Sequence, residues 1–220
     1  FLKAIDWGNL DCAVFVNKVA HKWAEEQGVA PQIPTFVVPN VVELSGWRYA
    51  KRDAGRKFAW VGYISWKKGI ELLMEVVRKL RERDRDVEVH IAGMFQHPEV
   101  ERYFWEYIHN NNLSPNIRFC GWVEHGDMDE FLEDKNYILS TSIVEVQGVV
   151  LLEAMAKGIK PLIHWWPGAD TIYPREWLWR HPDELMELLE TPYESEEYRS
   201  YVERRHSPEV VFPQMDALLE

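Results

Sequence analysis

Two carboxylates stand on either side of a helix opening in the stretch EVQGVVLLEAMAKG, Glu145 to Gly158. Glu145 precedes the helix, and Glu153 falls inside it among Val149, Val150, Leu152, Ala154 and Ala156. A helix that is apolar on nearly every side is buried, and an ionised carboxylate buried without a partner is costly enough to change its protonation instead. Two readings account for Glu153. One is an i,i+4 ion pair with Lys157, worth about 0.3–0.5 kcal/mol when solvated. The other is a carboxylate that accepts hydrogen bonds from ligand hydroxyls. Glu153 sits about a turn and a half inside the helix, roughly 8 Å along its axis. The free N–H groups of a helix opening such as that at Gly148 favour an anion, most naturally a phosphate or diphosphate. A ligand laid across this tip would place phosphates at the N-terminus and hydroxyls toward a carboxylate on each side. A nucleoside-diphosphate sugar has that layout.

The elements needed to hold such a ligand alternate along the chain. CAVFV (12–16) reads as a strand, followed by a helix with Asn17 as its cap and Gly28 as its stop. TFVVPN (35–40) reads as a second strand. KFAWVGYIS (57–65) is a strand, and the stretch from Lys67 to Arg83 keeps Ile70, Leu73, Val77 and Leu80 at helical spacing. Strand and helix then alternate through DVEVHIAG, PEVERYFWEYIHNNN, NIRFCGWV, DMDEFLEDK, NYILSTS, GVVLLEAMAKG and IKPLIHW, and charged helices close the chain. Alternation at this pitch predicts an α/β fold: a Rossmann-like parallel sheet with helices on both faces. Ligands of such sheets bind beyond the carboxyl ends of the strands. The loops Gly62–Gly69, Ala92–Pro98 and Ser140–Gly148 each follow a strand and open a helix. Residues 1–40 hold one strand–helix–strand unit, too small to bury its own surfaces, and 41–56 read as a connector. Residues 57–205 form the main domain and 206–220 a C-terminal helix.

Composition excludes several classes. A chain of 220 residues with 46% hydrophobic and 13% aromatic residues supports a sizeable core. A formal charge of −11 argues against nucleic acid as partner. The eleven Trp are read chiefly as core. Cys12 and Cys120 form no C-x-x-C pattern and read as free thiols of a reducing compartment. No apolar run approaches the ~20 residues needed to span a bilayer, so a cytoplasmic, soluble chain is expected. Its start at Phe1, in mid-pattern, is expected of a fragment. His97, His125, His164 and His206 fit no metal-ligand spacing, so no metal and no other cofactor is expected. Asp127, Asp129 and Glu130 read as an acidic helix start that complements the macrodipole. Glu184, Glu187 and Glu190 read as a solvated helix face. No strand is followed by G-x-G-x-x-G, which argues against a dinucleotide-dependent enzyme. A glycosidase reading of the carboxylate pair fails because the pair flanks a helix tip suited to phosphate.

The stretch STSIVEVQGVVLLEAMAKGIKPLIHWWPGA resembles the signature region of glycosyltransferase family 4, retaining enzymes of the GT-B fold. Its E-x7-E hallmark is met by Glu145 and Glu153, and its E-A-M-A-x-G run by Glu153 to Gly158. VPNVVEL (38–44), VGYISWKKGIELLMEV, VEVHIAG, NIRFCGWV and HSPEVV match the family in order and character. The resemblance covers nearly the whole chain as a C-terminal, donor-binding domain, with residues 1–40 matching the end of an N-terminal, acceptor-side domain. It implies that Glu145 contacts donor-sugar hydroxyls and Glu153 the ribose. Lys68 would neutralise the diphosphate as the leaving group departs. Gly62, Tyr63 and Lys67 belong to the diphosphate loop, and Gly93 to the loop after the next strand. Trp122 and Val123 stand where the nucleobase is held, and Val146, Gln147, Gly148 and Val149 form the turn under the phosphates. The implied partners are a nucleotide-sugar donor and the missing N-terminal domain; membrane contact of the parent enzyme has no support in this sequence. The loop of His164, Trp165 and Trp166 fits either a place near the donor sugar or packing at an interdomain seam.

The chain departs from the family at two places. Tyr63 replaces the Arg that follows the glycine of the family's V-G-R, removing half of a cationic clamp. Val146-Gln147-Gly148 replaces Gly-Phe-Gly. The first departure keeps a second class open: a non-catalytic, glycosyltransferase-like module serving structure or protein interaction.

Overall fold

The structure, a computed structural model, describes residues 6–29 and 33–218. The first five residues of the 1–40 unit, Ala30 to Gln32 within it, and the last two of the C-terminal segment lie outside the described residues. Six short apolar runs form one parallel sheet: β3 (Lys57–Val61), β4 (Glu88–Ala92), β5 (Ile117–Gly121), β6 (Tyr137–Ser140), β7 (Lys160–His164) and β8 (Leu178–Trp179). Their order is β5-β4-β3-β6-β7-β8. β1 (Ala13–Phe15) and β2 (Thr35–Val37) form a separate parallel pair.

Alternation along each strand assigns the two faces. Phe58 and Trp60 of β3, with Val89, Ile91, Leu139 and Leu162, face one core shared with Leu73, Val77 and Leu80 of α2 (Ile70–Arg83) and Val100 and Phe104 of α3 (Pro98–Asn110). Ala59, Ile138 and Ile163 face the other, packed by Leu151, Leu152 and Met155 of α5 (Val149–Ala156) and Tyr198 and Val202 of α8 (Ser195–His206). This is why α5 is apolar all round: the sheet covers one side and α8 another. The short α6 (Ala169–Ile172) precedes β8, and α7 (Pro182–Glu190) follows it.

The chain runs outward from β3 through β4 to β5, then returns to place β6 on the opposite side of β3. The crevice where the order reverses lies beyond the carboxyl ends of β3 and β6, the place where open α/β sheets bind ligands. α2 and α5 both begin there.

The N-terminal unit, β1, α1 (Lys18–Glu26) and β2, rests on the main domain as its size demands. Asn17 caps α1 by accepting from the Ala20 N–H, and its Nδ2 donates to the Val146 carbonyl at 2.5 Å. The Val42 N–H donates to the His206 carbonyl at 2.7 Å.

Several elements differ from expectation. The helix expected over DMDEFLEDK is one turn, α4 (Met128–Phe131), because its acidic residues serve as partners for distant cations. β8 is an addition to the expected strands; two residues at the sheet edge carry no periodic signal. The last charged segment divides at Ser207, where Pro208 cannot continue α8 and instead opens α9 (Pro208–Asp216). Trp47, Trp60, Trp166, Trp177 and Trp179 are buried, but Trp23, Trp66, Trp105 and Trp122 are exposed, so the core reading holds only in part. Cys12 and Cys120 are free thiols. Among the described residues no helix is long and apolar enough to cross a membrane.

Candidate active site

Three strand ends form the floor of the site. The Gly62 N–H donates to the Ala92 carbonyl at 3.0 Å, and the Gly93 N–H to the Gly121 carbonyl at 2.7 Å. A Cβ on Gly93 would run into the Gly62 carbonyl oxygen, so glycine is required for this close approach. Gly62 itself holds a positive φ of 147°. The chain then turns through Tyr63 and one helical turn carrying Lys67 and Lys68 before Gly69, in the left-handed region, opens α2. The Thr141 hydroxyl fastens this turn to the end of β6: it donates to the Lys68 carbonyl at 2.8 Å and accepts from Trp60 Nε1 at 3.0 Å. The Ile143 N–H donates to the Lys67 carbonyl at 2.9 Å.

These contacts bring Lys68 and Glu145 together. Lys68 Nζ donates to Glu145 Oε2, forming an ion pair between two half-buried side chains. The pair lines a narrow cleft of about 20 Å³ with Trp60, Ser142, Gly148, Val150 and Leu151. With the pair formed, that space holds about one water molecule. Lys67, by contrast, is exposed, and the structure gives its side chain no place in the cleft.

The turn into α5 is held from below. Gln147 is buried; its Oε1 accepts from the Asn40 N–H at 2.9 Å, and its Nε2 lies 3.1 Å from His206 Nδ1. The Tyr173 hydroxyl donates to the Gln147 and Gly148 carbonyls at 2.7 and 3.3 Å. Val146 is exposed, with its carbonyl taken by Asn17. Gly148 has φ 70°, which turns the chain into α5 at Val149 with no side-chain cap. The Leu151 N–H donates to the Gly148 carbonyl at 2.9 Å; among the described residues the Val149 and Val150 N–H groups have no side-chain cap at the mouth of the cleft, and the helix dipole favours an anion there.

Glu153 is 8% exposed on α5. Its partner is not Lys157. Lys157 is fully buried and its Nζ donates to Asp129 and Glu133, so the i,i+4 reading is corrected. One turn of α-helix places the two side chains near each other, but α4 and the residues after it offer Lys157 two carboxylates on the far side. The reading of Asp129 as a simple macrodipole complement is corrected by the same contact. Glu153 Oε1 instead lies 3.0 Å from Nε2 of His125, whose ring stands edge-on to Trp47 at 5.7 Å. Burial pushes the Glu153 carboxyl above the usual carboxylate range, and the His125 hydrogen bond opposes that shift.

Tyr63 and Trp122 are both exposed, and their rings lie 5.4 Å apart at 33° at the outer end of the same edge. Val123 is half-buried against the core. His164 packs: its Nδ1 lies 2.8 Å from the Ser142 carbonyl and its ring meets Trp179, while burial lowers its pKa. Among the described residues, no group of three or more His, Cys, Asp or Glu could hold a metal ion. A second cavity of about 390 Å³ lies behind the Gln147 turn, between the N-terminal unit and α8–α9, and includes neither Glu145 nor Lys68.

Sequence reasoning placed Glu145, Gly148 and Glu153 around one helix opening, and the family resemblance added Lys68. It missed the role of His125 and the fastening of Gln147 by Asn40 and His206. These three contacts join residues 28, 107 and 59 positions apart, where no spacing signal exists.

The chain belongs to the family described as glycosyl transferases group 1, which it matches over residues 43–172, more than half its length. It is 23% identical over 156 residues to MJ1607 of Methanocaldococcus jannaschii, named as an uncharacterised glycosyltransferase, a match covering 69% of this chain and 39% of that protein. Similar structures include HepE of Anabaena with UDP and glucose (TM-score 0.82, 14% identity, covering 95% of this chain and 62% of that one). A mutant form of TarM from S. aureus, solved with fondaparinux, α-GlcNAc-glycerol and UDP, matches at TM-score 0.78 and 19% identity, covering 98% and 45%. Sucrose-phosphate synthase of Thermosynechococcus elongatus also matches at TM-score 0.78 and 19% identity, covering 96% and 58%. The fold is thus the Rossmann-like domain of GT-B glycosyltransferases, and the chain spans less than two thirds of the length of each of these four proteins.

Proposed function

We propose that this chain is the C-terminal, donor-binding half of a retaining, family 4-like hexosyltransferase, with residues 1–40 the end of its N-terminal half. The observation that carries this reading is the Lys68–Glu145 pair at the uncapped tip of α5, with Glu153 on the flank of the same helix. On donor binding, Lys68 exchanges Glu145 for the diphosphate, and Glu145 is released toward the sugar hydroxyls. Glu153 accepts from the ribose. As the bond between the sugar carbon and the diphosphate oxygen breaks, an acceptor hydroxyl oxygen bonds to the same carbon and its proton leaves with the diphosphate, on which negative charge grows in the transition state. Lys68 and the N–H groups of Val149 and Val150 at the opening of α5 stabilise that charge, while the two carboxylates fix the sugar and ribose. No metal takes part in this scheme. The acceptor site belongs chiefly to the other domain, so the chain alone is expected to bind donor weakly and to transfer nothing.

A second reading, a non-catalytic module, is favoured by one observation. Tyr63, where the family has Arg, is engaged with Trp122 rather than offering a second cation to the cleft. Calorimetric titration with UDP, GDP and ADP and their common sugar conjugates separates the two, with Glu153→Ala alongside. Saturable binding of one nucleotide, weakened about tenfold or more in the variant, is expected of a donor site. Absence of binding, both here and in a longer chain carrying the remaining domain, favours the module.

A further inference from the structure

Glu153 carries a contact that the proposed chemistry does not use. The carboxylate is buried on α5, and among the described residues its one polar partner is His125, which reaches it from a loop 28 positions away. Among the described residues, the cations on α5 itself, at its opening and on the helix packed against it have other partners. Lys157 serves Asp129 and Glu133, Lys68 serves Glu145, and Arg199 of α8 donates to the Trp47 and Ala156 carbonyls and pairs with Glu203. The contact is also one-sided. Oε1 takes the imidazole and, among the described residues, Oε2 takes no donor, although an ionised carboxylate offers about four acceptor sites.

The histidine is itself oriented. Its ring stands at 84° to the Trp47 indole, which is 6% exposed and anchored in the core, while the His125 side chain is 80% exposed. A solvent-facing imidazole thus meets one oxygen of a buried carboxylate on one side and the edge of a buried aromatic ring on the other.

We propose that His125 is a positioning residue: through its hydrogen bond to Oε1 it fixes the Glu153 carboxylate in its ionised form and leaves Oε2 to accept from the vicinal hydroxyls of a nucleotide ribose. This rests on the donor-site reading of Glu153. A carboxylic acid would donate one proton and lose acceptor capacity, so a buried Glu153 without His125 would be a poor partner for two hydroxyl donors. His125 touches no reacting atom; it acts through Glu153. The sequence places it in a loop following β5, with nothing to connect it to a residue of α5.

The test uses the whole chain and its His125→Ala variant, with two readouts. The first is the pH titration of the Glu153 side-chain carboxyl followed by carbon NMR, assigned with Glu153→Gln. The second is calorimetric binding of UDP, GDP and ADP, and of the 2′,3′-dideoxy form of whichever binds, at acidic and at neutral pH. The alanine variant is expected to titrate Glu153 at higher pH. It should bind the ribonucleotide about tenfold more weakly at neutral pH, with the difference widening as pH falls. The dideoxynucleotide, which lacks the hydroxyls, should bind the variant and the parent chain alike. An unchanged Glu153 titration overturns the role of His125 irrespective of nucleotide binding. Equal weakening for nucleotides with and without the diol overturns it too, since His125 would then be serving the fold or the base. If Glu153 titrates as expected but no nucleotide binds either this chain or a longer one carrying the remaining domain, the donor-site reading fails and the ribose assignment fails with it.

Discussion

Replacing Lys157 by methionine removes the fully buried ammonium at the end of α5 while keeping the length of its aliphatic stem. The charge is enclosed by Asp129 and Glu133, whose side chains are 21% and 48% exposed, and Arg48 Nε also reaches Asp129 at 3.2 Å. Removing one partner of a buried ion pair costs about 3–5 kcal/mol when the survivor is stranded. Here both carboxylates keep access to water and Asp129 keeps Arg48, so the loss should fall to about 2–3 kcal/mol. Urea unfolding at neutral pH measures it. Coupling identifies the partner: a double-mutant cycle of Lys157→Met with Asp129→Asn should show an interaction of about 1–2 kcal/mol, and one with Glu153→Gln less than about 0.5 kcal/mol. The acid limb supplies a second check. Burial alone would raise the Asp129 carboxyl, but Lys157 and Arg48 outweigh it and hold it below the usual range; Lys157 does the same for Glu133. Carboxylates depressed in the folded state contribute stability that is complete above their unfolded pKa, about 4, and is lost as pH falls through the folded value. The gap between the parent chain and the variant should therefore close as the pH drops below about 4. A variant within about 0.5 kcal/mol of the parent at neutral pH, or one coupled more strongly to Glu153 than to Asp129, would refute the arrangement.

Two further outcomes follow from the same geometry. Glu153, its pKa raised by burial, has an ionised form less favourable in the folded chain than in the unfolded one, so it costs stability above its folded pKa and nothing below its unfolded pKa. Glu153→Gln should thus stabilise the chain by about 0.5–1.5 kcal/mol at mildly alkaline pH in urea titrations, with no gain below pH ~4, while weakening nucleotide binding. Gly93→Ala places a methyl against the Gly62 carbonyl and should cost about 2 kcal/mol or more in unfolding measurements. Gly126→Ala, which meets open space, should be close to neutral.

The parallel sheet, its helices and the placing of Gly148 and the carboxylate pair about one helix opening were legible because their signals are local, whereas Lys68 was assigned there only by the family resemblance. Ile70, Leu73, Val77 and Leu80 repeat at helical spacing, and all four are buried in α2. Val149 to Ala156 are nearly all apolar, and α5 is enclosed by the sheet and α8. Glu153 was conspicuous in the sequence because a carboxylate there conflicts with its surroundings. What answers that conflict was not legible. Lys157, four residues along, was the obvious partner by spacing, yet the structure gives it to Asp129 and Glu133 and gives Glu153 to His125.

The sequence by itself therefore determined the class of fold and the positions of Glu145, Gly148 and Glu153 about the α5 opening, because periodicity and the seven-residue interval between the two carboxylates lie within single elements or across one turn. Only the tertiary structure decided which charges meet. Lys68 joins Glu145 across 77 positions, His125 joins Glu153 across 28, and Asn40 joins Gln147 across 107. Such pairings depend on the sheet order, which brings the ends of β3 and β6 side by side, and on loop paths that carry no hydrophobic period. An ion pair or hydrogen bond falls off steeply with distance and angle, so a shift of a few ångströms in packing is enough to change a partner without altering a single residue.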